Sequence, residues 1–114
     1  MDKELSSYME SIKADYFKFI TSYRPTGTED TAFHEKYIME AMSEFNTRLK
    51  AESGSKYIKI VQRGSVHSFI VKEDGGKFKR GDILKAASWA APAKNFARGN
   101  LLAGSVKGVR WAGA

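Results

Sequence analysis

The spacing of apolar residues changes near Gly54, and no other feature limits the fold of this chain as strongly. From Leu5 to Leu49 the apolar residues recur every three or four positions, which is the period of a helix with one buried face. After Gly54 they cluster in short runs rich in β-branched and aromatic side chains, which is typical of strands. The sequence therefore predicts an α+β protein, with helices in its N-terminal half and strands in its C-terminal half.

Two helices are predicted in the N-terminal half. The first ends near Tyr23, because residues 24–27 (RPTG) combine a proline that disfavours helix in the residue before it with a glycine suited to a turn. Thr28 is the predicted N-cap of the second helix, and residues 53–55 (SGS) end that helix. Two helices joined by a short turn form a helical hairpin, and we expect its apolar faces to pack on the β-rich half.

The C-terminal half contains three strand-like runs and two shorter ones, with glycine-rich turns between several of them. Pro92 ends the third run, because proline has no backbone N–H to donate within a sheet. Short strands in chain order commonly form a small antiparallel sheet or a partly open barrel, with helices covering one face. The predicted strands are residues 57–61, 66–71, 83–89, 101–102 and 109–111.

Charge divides the chain in the same way as the apolar pattern. Residues 1–52 carry 7 Lys and Arg against 10 Asp and Glu, whereas residues 53–114 carry 12 against 3, so a net −3 is followed by a net +9. We interpret residues 1–52 as an acidic helical hairpin and residues 53–114 as a basic β-rich region, in one compact unit. This asymmetry indicates a polyanionic partner, or contact between the halves or between subunits of a homo-oligomer; the alternative is a basic face that is merely solvated.

Residues that carry catalysis or bind metals are sparse. The chain has no cysteine, and its two histidines, His34 and His67, are too far apart in sequence to show metal-ligand spacing. Ser65 and Ser68 lie beside His67 without an orienting acid, so an ordinary polar strand residue is the preferred interpretation of this histidine. Glycine-rich nucleotide-binding motifs are absent from the sequence. We predict a protein that is not an enzyme and that has neither a cofactor nor a metal site.

The N-terminal sequence bears on location. Asp2, Glu4 and Glu10 interrupt its apolar positions as no signal-peptide core allows, and no apolar run in the chain reaches membrane-spanning length. The lack of cysteine fits a reducing compartment. We therefore expect a cytoplasmic protein without a membrane partner.

Basic residues alternate with aromatic residues in the C-terminal half. Cationic side chains bind phosphates, and an exposed aromatic ring stacks on an unpaired base. Trp89 and Trp111 are expected in the core, because rings of this size usually supply it, whereas Phe96 is expected on an exposed loop. The predicted nucleic-acid contacts are Lys77, Lys79, Arg80, Lys85, Lys94, Phe96, Arg98, Lys107 and Arg110.

An ordered series of motifs runs through residues 56–114. It consists of KYIKIV at 56–61, VHSFIV at 66–71, GDILKAASWAAPAK at 81–94, ARGN at 97–100 and VRWAG at 109–113. This series resembles a group of small uncharacterised proteins that tailed bacteriophages encode. The resemblance implies a viral origin and expression in a bacterial host, and it implies no activity, cofactor or catalytic residue.

The sequence leads to two hypotheses about function. The first is binding of single-stranded nucleic acid by the basic β-rich half, without sequence specificity, as a phage accessory protein in the host cytoplasm. The second is an interaction of the amphipathic helical hairpin with a host or phage protein, either as a virion component or as a modulator of a host protein. A salt-dependent mobility shift with DNA favours the first hypothesis, and co-purification of one host protein favours the second.

Overall fold

A computed structural model describes residues 1–22, 31–62, 64–106 and 109–113 of the chain. It contains two helices followed by an open antiparallel sheet, in which five strands lie side by side in chain order. The predicted α+β fold is confirmed, whereas the predicted turn at residues 24–27 and the N-cap at Thr28 lie outside the described residues. The elements are α1 (Asp2–Ser22), α2 (Thr31–Arg48), β1 (Lys50–Ser53), β2 (Tyr57–Gln62), β3 (Ser65–Val71), β4 (Asp82–Lys85) and β5 (Gly99–Asn100).

One side of the sheet packs against the helices, and we call it the helix-facing side. Every fourth residue of α1 from Tyr8 to Ile20 is buried there, as the helical period requires. Phe45 of α2 stacks on Tyr16 of α1 with 4.1 Å between the ring centroids. The sheet contributes one fully buried isoleucine from each of its three central strands, Ile60, Ile70 and Ile83, to the same cluster. The expected packing of the two helices on the sheet is therefore confirmed.

The opposite side of the sheet, which we call the outer face, bears Phe69 and Leu84, because successive side chains of a strand point to opposite sides. Both residues are buried, and the connecting loop between β4 and β5, residues 86–98, packs against them. The backbone N–H of Ala93 donates a hydrogen bond to the carbonyl oxygen of Lys85 at 2.7 Å and holds this loop to the end of β4. The outer face is therefore covered by a loop, whereas the helix-facing side is covered by helices.

The boundary between the two halves differs from the prediction. α2 ends at Arg48 and β1 begins at Lys50, so the prediction of a helical region through residue 52 is wrong at its C-terminal end. β1 has the sequence KAES and is exposed along its whole length, so no alternation of apolar residues indicates a strand there. Its structure comes from antiparallel pairing with β2, which runs from Lys50 opposite Val61 to Ser53 opposite Ile58.

Two of the predicted strands have wrong boundaries. The run at residues 83–89 is a strand only as far as Lys85, where the chain leaves the sheet and enters the connecting loop. Residues 101–102 lie in a turn, because the side-chain oxygen of Asn100 accepts the backbone N–H of Leu102 at 2.8 Å and caps that turn. β5 is therefore formed by the two residues before the predicted strand.

The C-terminal segment, residues 109–113, does not form the strand predicted at residues 109–111. Its regular pairing is an isolated bridge between Arg110 and Gly113. The backbone N–H of Trp111 instead donates a hydrogen bond to the Asp15 carboxylate of α1 at 2.9 Å. The Trp111 N–H is thus bound by a side chain of α1 and not by the backbone of a neighbouring strand.

Candidate nucleic-acid interface

The outer face carries a groove made of two adjoining cavities. The first cavity has a volume of about 510 Å³ and lies beside the turns that precede β2 and follow β3. The second cavity, of about 380 Å³, extends to Ala90 of the connecting loop. Ser55, Lys56 and Tyr57 line both cavities, which therefore form one continuous surface that we call the outer groove.

Two of the predicted contacts, Lys77 and Lys94, line the first cavity. The Lys77 ammonium donates hydrogen bonds to the backbone carbonyl oxygens of Lys94 and Asn95, and it lies 5.7 Å from the centroid of the Phe78 ring. An ammonium has three N–H donors, so one remains for a ligand. Lys77 therefore joins the turn after β3 to the connecting loop and keeps donor capacity in the cavity.

Phe96 and Arg98 form a stacked pair next to this cavity. Phe96 is 52% exposed, which confirms the prediction that it lies on the surface. The Arg98 guanidinium lies 3.8 Å from the centroid of the Phe96 ring, within the range of a cation–π contact. Asn95, whose carbonyl oxygen accepts from Lys77, directly precedes this pair, so the pair extends the surface of the outer groove.

The two tryptophans have different environments. Trp89 is 53% exposed, so the prediction that it belongs to the core is wrong. The reason is that β4 ends at Lys85, and the connecting loop then carries Trp89 above the outer face. The Lys59 ammonium lies 4.4 Å from the centroid of the Trp89 ring, beside the second cavity. Trp111 is half-buried and packs against Tyr16 with 4.9 Å between centroids, so its predicted place in the core is confirmed in part.

Lys79 and Arg80 are exposed in the turn before β4. The backbone N–H of Lys79 donates to Oδ2 of Asp82 at 2.8 Å, and that of Arg80 donates to Oδ1 of Asp74 at 2.7 Å. Asp74 also lines the first cavity. The two cationic side chains therefore start from a turn that adjoins the outer groove.

The remaining predicted contacts are not brought to this groove. Lys85 pairs across the sheet with Ser68, whose hydroxyl contacts α1, so Lys85 belongs to the helix-facing side. Nη1 of Arg110 lies 3.9 Å from Oδ1 of Asp15 on α1. Lys107 lies outside the described residues. The structure thus collects Lys77, Lys94, Phe96 and Arg98, with Lys79 and Arg80 adjoining, and separates Lys85 and Arg110 from them.

Sequence reasoning missed Lys56, Tyr57 and Lys59. A signal existed for Lys59, because it alternates with Ile58 and Ile60, and this alternation places it on the side of the strand opposite the core. No comparable signal existed for Lys56, which reaches the groove from a turn. Its position depends on how the turns before β2 and after β3 meet.

A chain of buried hydrogen bonds links α1, β3 and the C-terminal segment. Nε2 of His67 lies 2.6 Å from the Arg110 carbonyl oxygen, which can only accept, so Nε2 carries the hydrogen and Nδ1 of the neutral ring accepts. The Ser68 hydroxyl donates to Nδ1 at 2.9 Å and accepts from the Tyr8 hydroxyl at 2.8 Å. Burial lowers the pKa of His67, although its bond to the Arg110 carbonyl acts in the opposite direction, and burial raises the pKa of Tyr8.

A β-bulge places His67 and Ser68 in this chain. Ile60 pairs with Ser68 and Val61 pairs with Val66, so His67 has no partner in the ladder between β2 and β3. The side chains of His67 and Ser68 therefore both point to the helix-facing side, near the Tyr8 hydroxyl, instead of to opposite sides of the sheet. His67 is 2% exposed and Ser68 is inaccessible to solvent. This geometry makes them a structural connection, and the interpretation of His67 as an ordinary polar strand residue missed its burial.

Two further features of the described residues concern metals and membranes. No group of three or more His, Asp or Glu side chains in that part of the chain could hold a metal ion. Neither helix, over the residues that the structure describes, is long and apolar enough to cross a membrane.

The fold and the groove define a class of protein: a small α+β protein with a helical hairpin on one side of an antiparallel sheet and a groove of basic and aromatic residues on the other. A model of a family of unknown function, DUF7717, matches residues 7–114. The chain belongs to this family, and the match includes both the helices and the outer groove. No curated protein and no solved structure matches the chain.

Proposed function

We propose that this protein binds single-stranded nucleic acid in the outer groove, as a non-enzymatic accessory protein of a tailed bacteriophage in the host cytoplasm. The observation that supports binding is the placement of two exposed rings, Trp89 and Phe96, beside a groove lined by lysines. The motif series in residues 56–114 supports the viral assignment. Binding requires no particular sequence, because every nucleotide offers a ring to stack and a phosphate to contact.

The aromatic residues favour a single strand over a duplex. Lys59 lies over the Trp89 ring and Arg98 over the Phe96 ring, so each exposed ring has a cation beside it. An unpaired base can stack on such a ring while the cation meets the adjacent phosphate. The bases of a duplex already stack on one another and do not offer their faces. A duplex would therefore use the cations without the rings.

The distribution of charge favours the same side of the sheet. The first cavity is lined by three lysines, Lys56, Lys77 and Lys94, against two acids, Glu73 and Asp74. The exposed acids Glu35 and Glu40 belong to α2, which packs on the helix-facing side. Salt screens exposed charges beyond a Debye length of about 10 Å at moderate ionic strength. The acidic helices therefore lower the positive potential of the outer groove only in part.

Fluorescence anisotropy of a labelled single strand tests this proposal. The double variant Trp89→Ala with Phe96→Ala should lose about tenfold or more in affinity, because each stacked base contributes about 1–3 kcal/mol. Phe17→Ala is the matched control, since it removes a ring that is 48% exposed on α1 and should bind like the wild type. Wild-type protein without affinity for single strands at low salt would contradict the proposal, as would equal affinity for a duplex of the same length.

Exposed apolar side chains on the helical hairpin support a second function, binding to another protein as a virion component or as a modulator of a host protein. Tyr37 and Met39 of α2 are 53% and 72% exposed, and they point to different sides of the helix because they lie two positions apart. Tyr37→Ser with Met39→Ser should then abolish co-purification of a single protein partner and leave nucleic-acid affinity unchanged. If the same variant retains that partner, this second function is contradicted.

A further inference from the structure

The first cavity of the outer groove holds charges of both signs. Lys56, Lys77 and Lys94 line it together with Glu73 and Asp74. A ligand that carries only phosphates would meet two carboxylates of its own sign there, and like charges repel. A ligand that carries hydrogen-bond donors as well as a phosphate can satisfy both sets of side chains.

The acidic side of the cavity is held in position by the backbone. Oδ1 of Asp74 accepts the Arg80 N–H at 2.7 Å, which orients the carboxylate and leaves its second oxygen to accept from a ligand. Glu73 is exposed and lines the cavity beside it. On the basic side, the Lys77 ammonium is bound to the Lys94 carbonyl, so its position is also restricted.

Two half-buried rings, Tyr57 and Phe78, supply the apolar part of the cavity. Reciprocal backbone hydrogen bonds between Gly75 and Phe78, at 3.0 and 3.1 Å, close the turn that carries Phe78. The volume of about 510 Å³ falls within the range of small-molecule sites, about 300–1,000 Å³. The cavity therefore has the size and the lining to take one planar ring with a charged substituent.

We infer that the first cavity takes one nucleotide of a bound single strand and prefers a base with an exocyclic amino group. The phosphate contacts Lys77 and Lys94, the base lies against Tyr57, and the amino group donates to Glu73 or Asp74. Cytosine, adenine and guanine carry such a group, whereas thymine and uracil carry in its place a carbonyl oxygen, which a carboxylate repels, and their one ring donor, N3–H, lies between two carbonyl oxygens. The inference rests on the proposed function and adds a base preference at one position to binding that otherwise requires no sequence.

Oligo-dC and oligo-dT of equal length, about ten nucleotides, test this preference by fluorescence anisotropy at neutral pH. Both are pyrimidine strands, so ring size and backbone charge are matched. The bases differ at C4 (amino against carbonyl), at N3 (acceptor against N–H donor) and by the C5 methyl group of thymine, and oligo-dU of the same length controls for the methyl group. Wild-type protein should bind oligo-dC about fivefold more tightly than oligo-dT, at the low end of the discrimination that a carboxylate contact to a base provides. In Glu73→Ala with Asp74→Asn the ratio should fall to about one, because both carboxylates are gone while the introduced amide oxygen still accepts the Arg80 N–H.

Glu35→Ala is the control, because it removes the same charge from an exposed position on α2 and should keep the wild-type ratio. Glu73→Gln with Asp74→Asn, which keeps the size of both side chains, replaces the first double variant if the latter melts at a lower temperature. A wild-type ratio of one, or a ratio that removal of both carboxylates leaves unchanged, overturns the inference while the proposed function stands. If neither oligonucleotide binds at low salt, the proposed function is overturned together with the inference.

Discussion

The two sides of the sheet are built from the same strands and have opposite characters. On the helix-facing side, Ile60, Ile70 and Ile83 are fully buried beneath the helices. On the outer face, the connecting loop covers the centre and leaves Trp89 and Phe96 about half exposed. Alternation along the strands buries apolar side chains on both sides, with Phe69 and Leu84 on the outer face, so the difference comes from what covers each side: helices on one, and on the other a loop that carries the two exposed rings. Helices close the helix-facing side, whereas the outer face keeps two exposed rings and a groove.

The largest expected effect is on the free energy of unfolding, which should distinguish a buried ring of the helix-facing side from an exposed ring of the connecting loop. Phe45→Ala removes a ring that is 1% exposed and stacks on Tyr16, so it should lower the free energy of unfolding by about 3–5 kcal/mol. Trp89→Ala, on the outer face, should lower it by less than about 1 kcal/mol. Urea denaturation measures both values. Similar losses in the two variants would show that Trp89 is packed as tightly as Phe45 and is not an exposed ring beside the outer groove.

Replacing Lys77, Lys79 and Arg80 together by alanine tests whether the basic residues near the outer groove bind DNA and those away from it do not. If these three cations contact phosphates, the plot of log affinity for single-stranded DNA against log salt should become less steep by about two, because each contact contributes about 0.7 to the slope. The control variant, Lys85→Ala with Arg110→Ala, removes cations that lie away from the groove and should keep the wild-type slope. An equal decrease in both variants would mean that the protein binds through its overall charge and not through the outer groove.

The pH dependence of stability should report on the helix-facing side. Burial lowers the pKa of His67 below its ordinary 6.5, so as the pH falls the unfolded chain takes up the proton before the folded protein does. The free energy of unfolding should therefore decrease below pH 6.5, by up to about 1.4 kcal/mol per pH unit, until the pH reaches the lowered pKa. Urea denaturation of wild type and His67→Asn over a pH series isolates this contribution. A difference between the two proteins that does not change with pH contradicts it.

The smallest expected effect concerns communication between the two sides. Glu35→Gln with Glu40→Gln removes two exposed negative charges from α2 and keeps the shape of the side chains. Affinity for single-stranded DNA should increase by about twofold at low salt and not at all at high salt, where these charges are screened. Unchanged DNA affinity together with loss of a protein partner would favour the second function, binding through the helical hairpin.

The periodicity of apolar residues predicted two helices followed by strands, and most of the residues that the helices bury. It could not predict β1, because an exposed edge strand with the sequence KAES has no apolar alternation. It also could not predict the bulge at His67, where two consecutive side chains leave the alternation and join a hydrogen-bond chain with Tyr8. Such features depend on the pairing of strands and helices that are distant in the chain.

The candidate site was predicted only in part, because its geometry also depends on elements that are distant in the chain. Phe96 and the neighbouring cations of the connecting loop were found because basic and aromatic residues alternate there. The position of Trp89 was predicted wrongly, because the end of β4 at Lys85 decides whether this ring enters the core or lies above the outer face. Lys56 reaches the groove only through the meeting of two turns, which the composition of the chain does not reveal.

The most direct test uses the different environments of the two tryptophans. Trp89 is exposed beside the outer groove, whereas Trp111 packs among the aromatic rings of the helix-facing side. Saturating single-stranded DNA should quench the fluorescence of the wild type and of Trp111→Phe, which keeps Trp89, because a base stacks on that ring. In Trp89→Phe, which keeps only Trp111, the strand should still bind by anisotropy without quenching. Equal quenching in the two single-tryptophan variants, or quenching confined to Trp111, would contradict the assignment of binding to the outer groove.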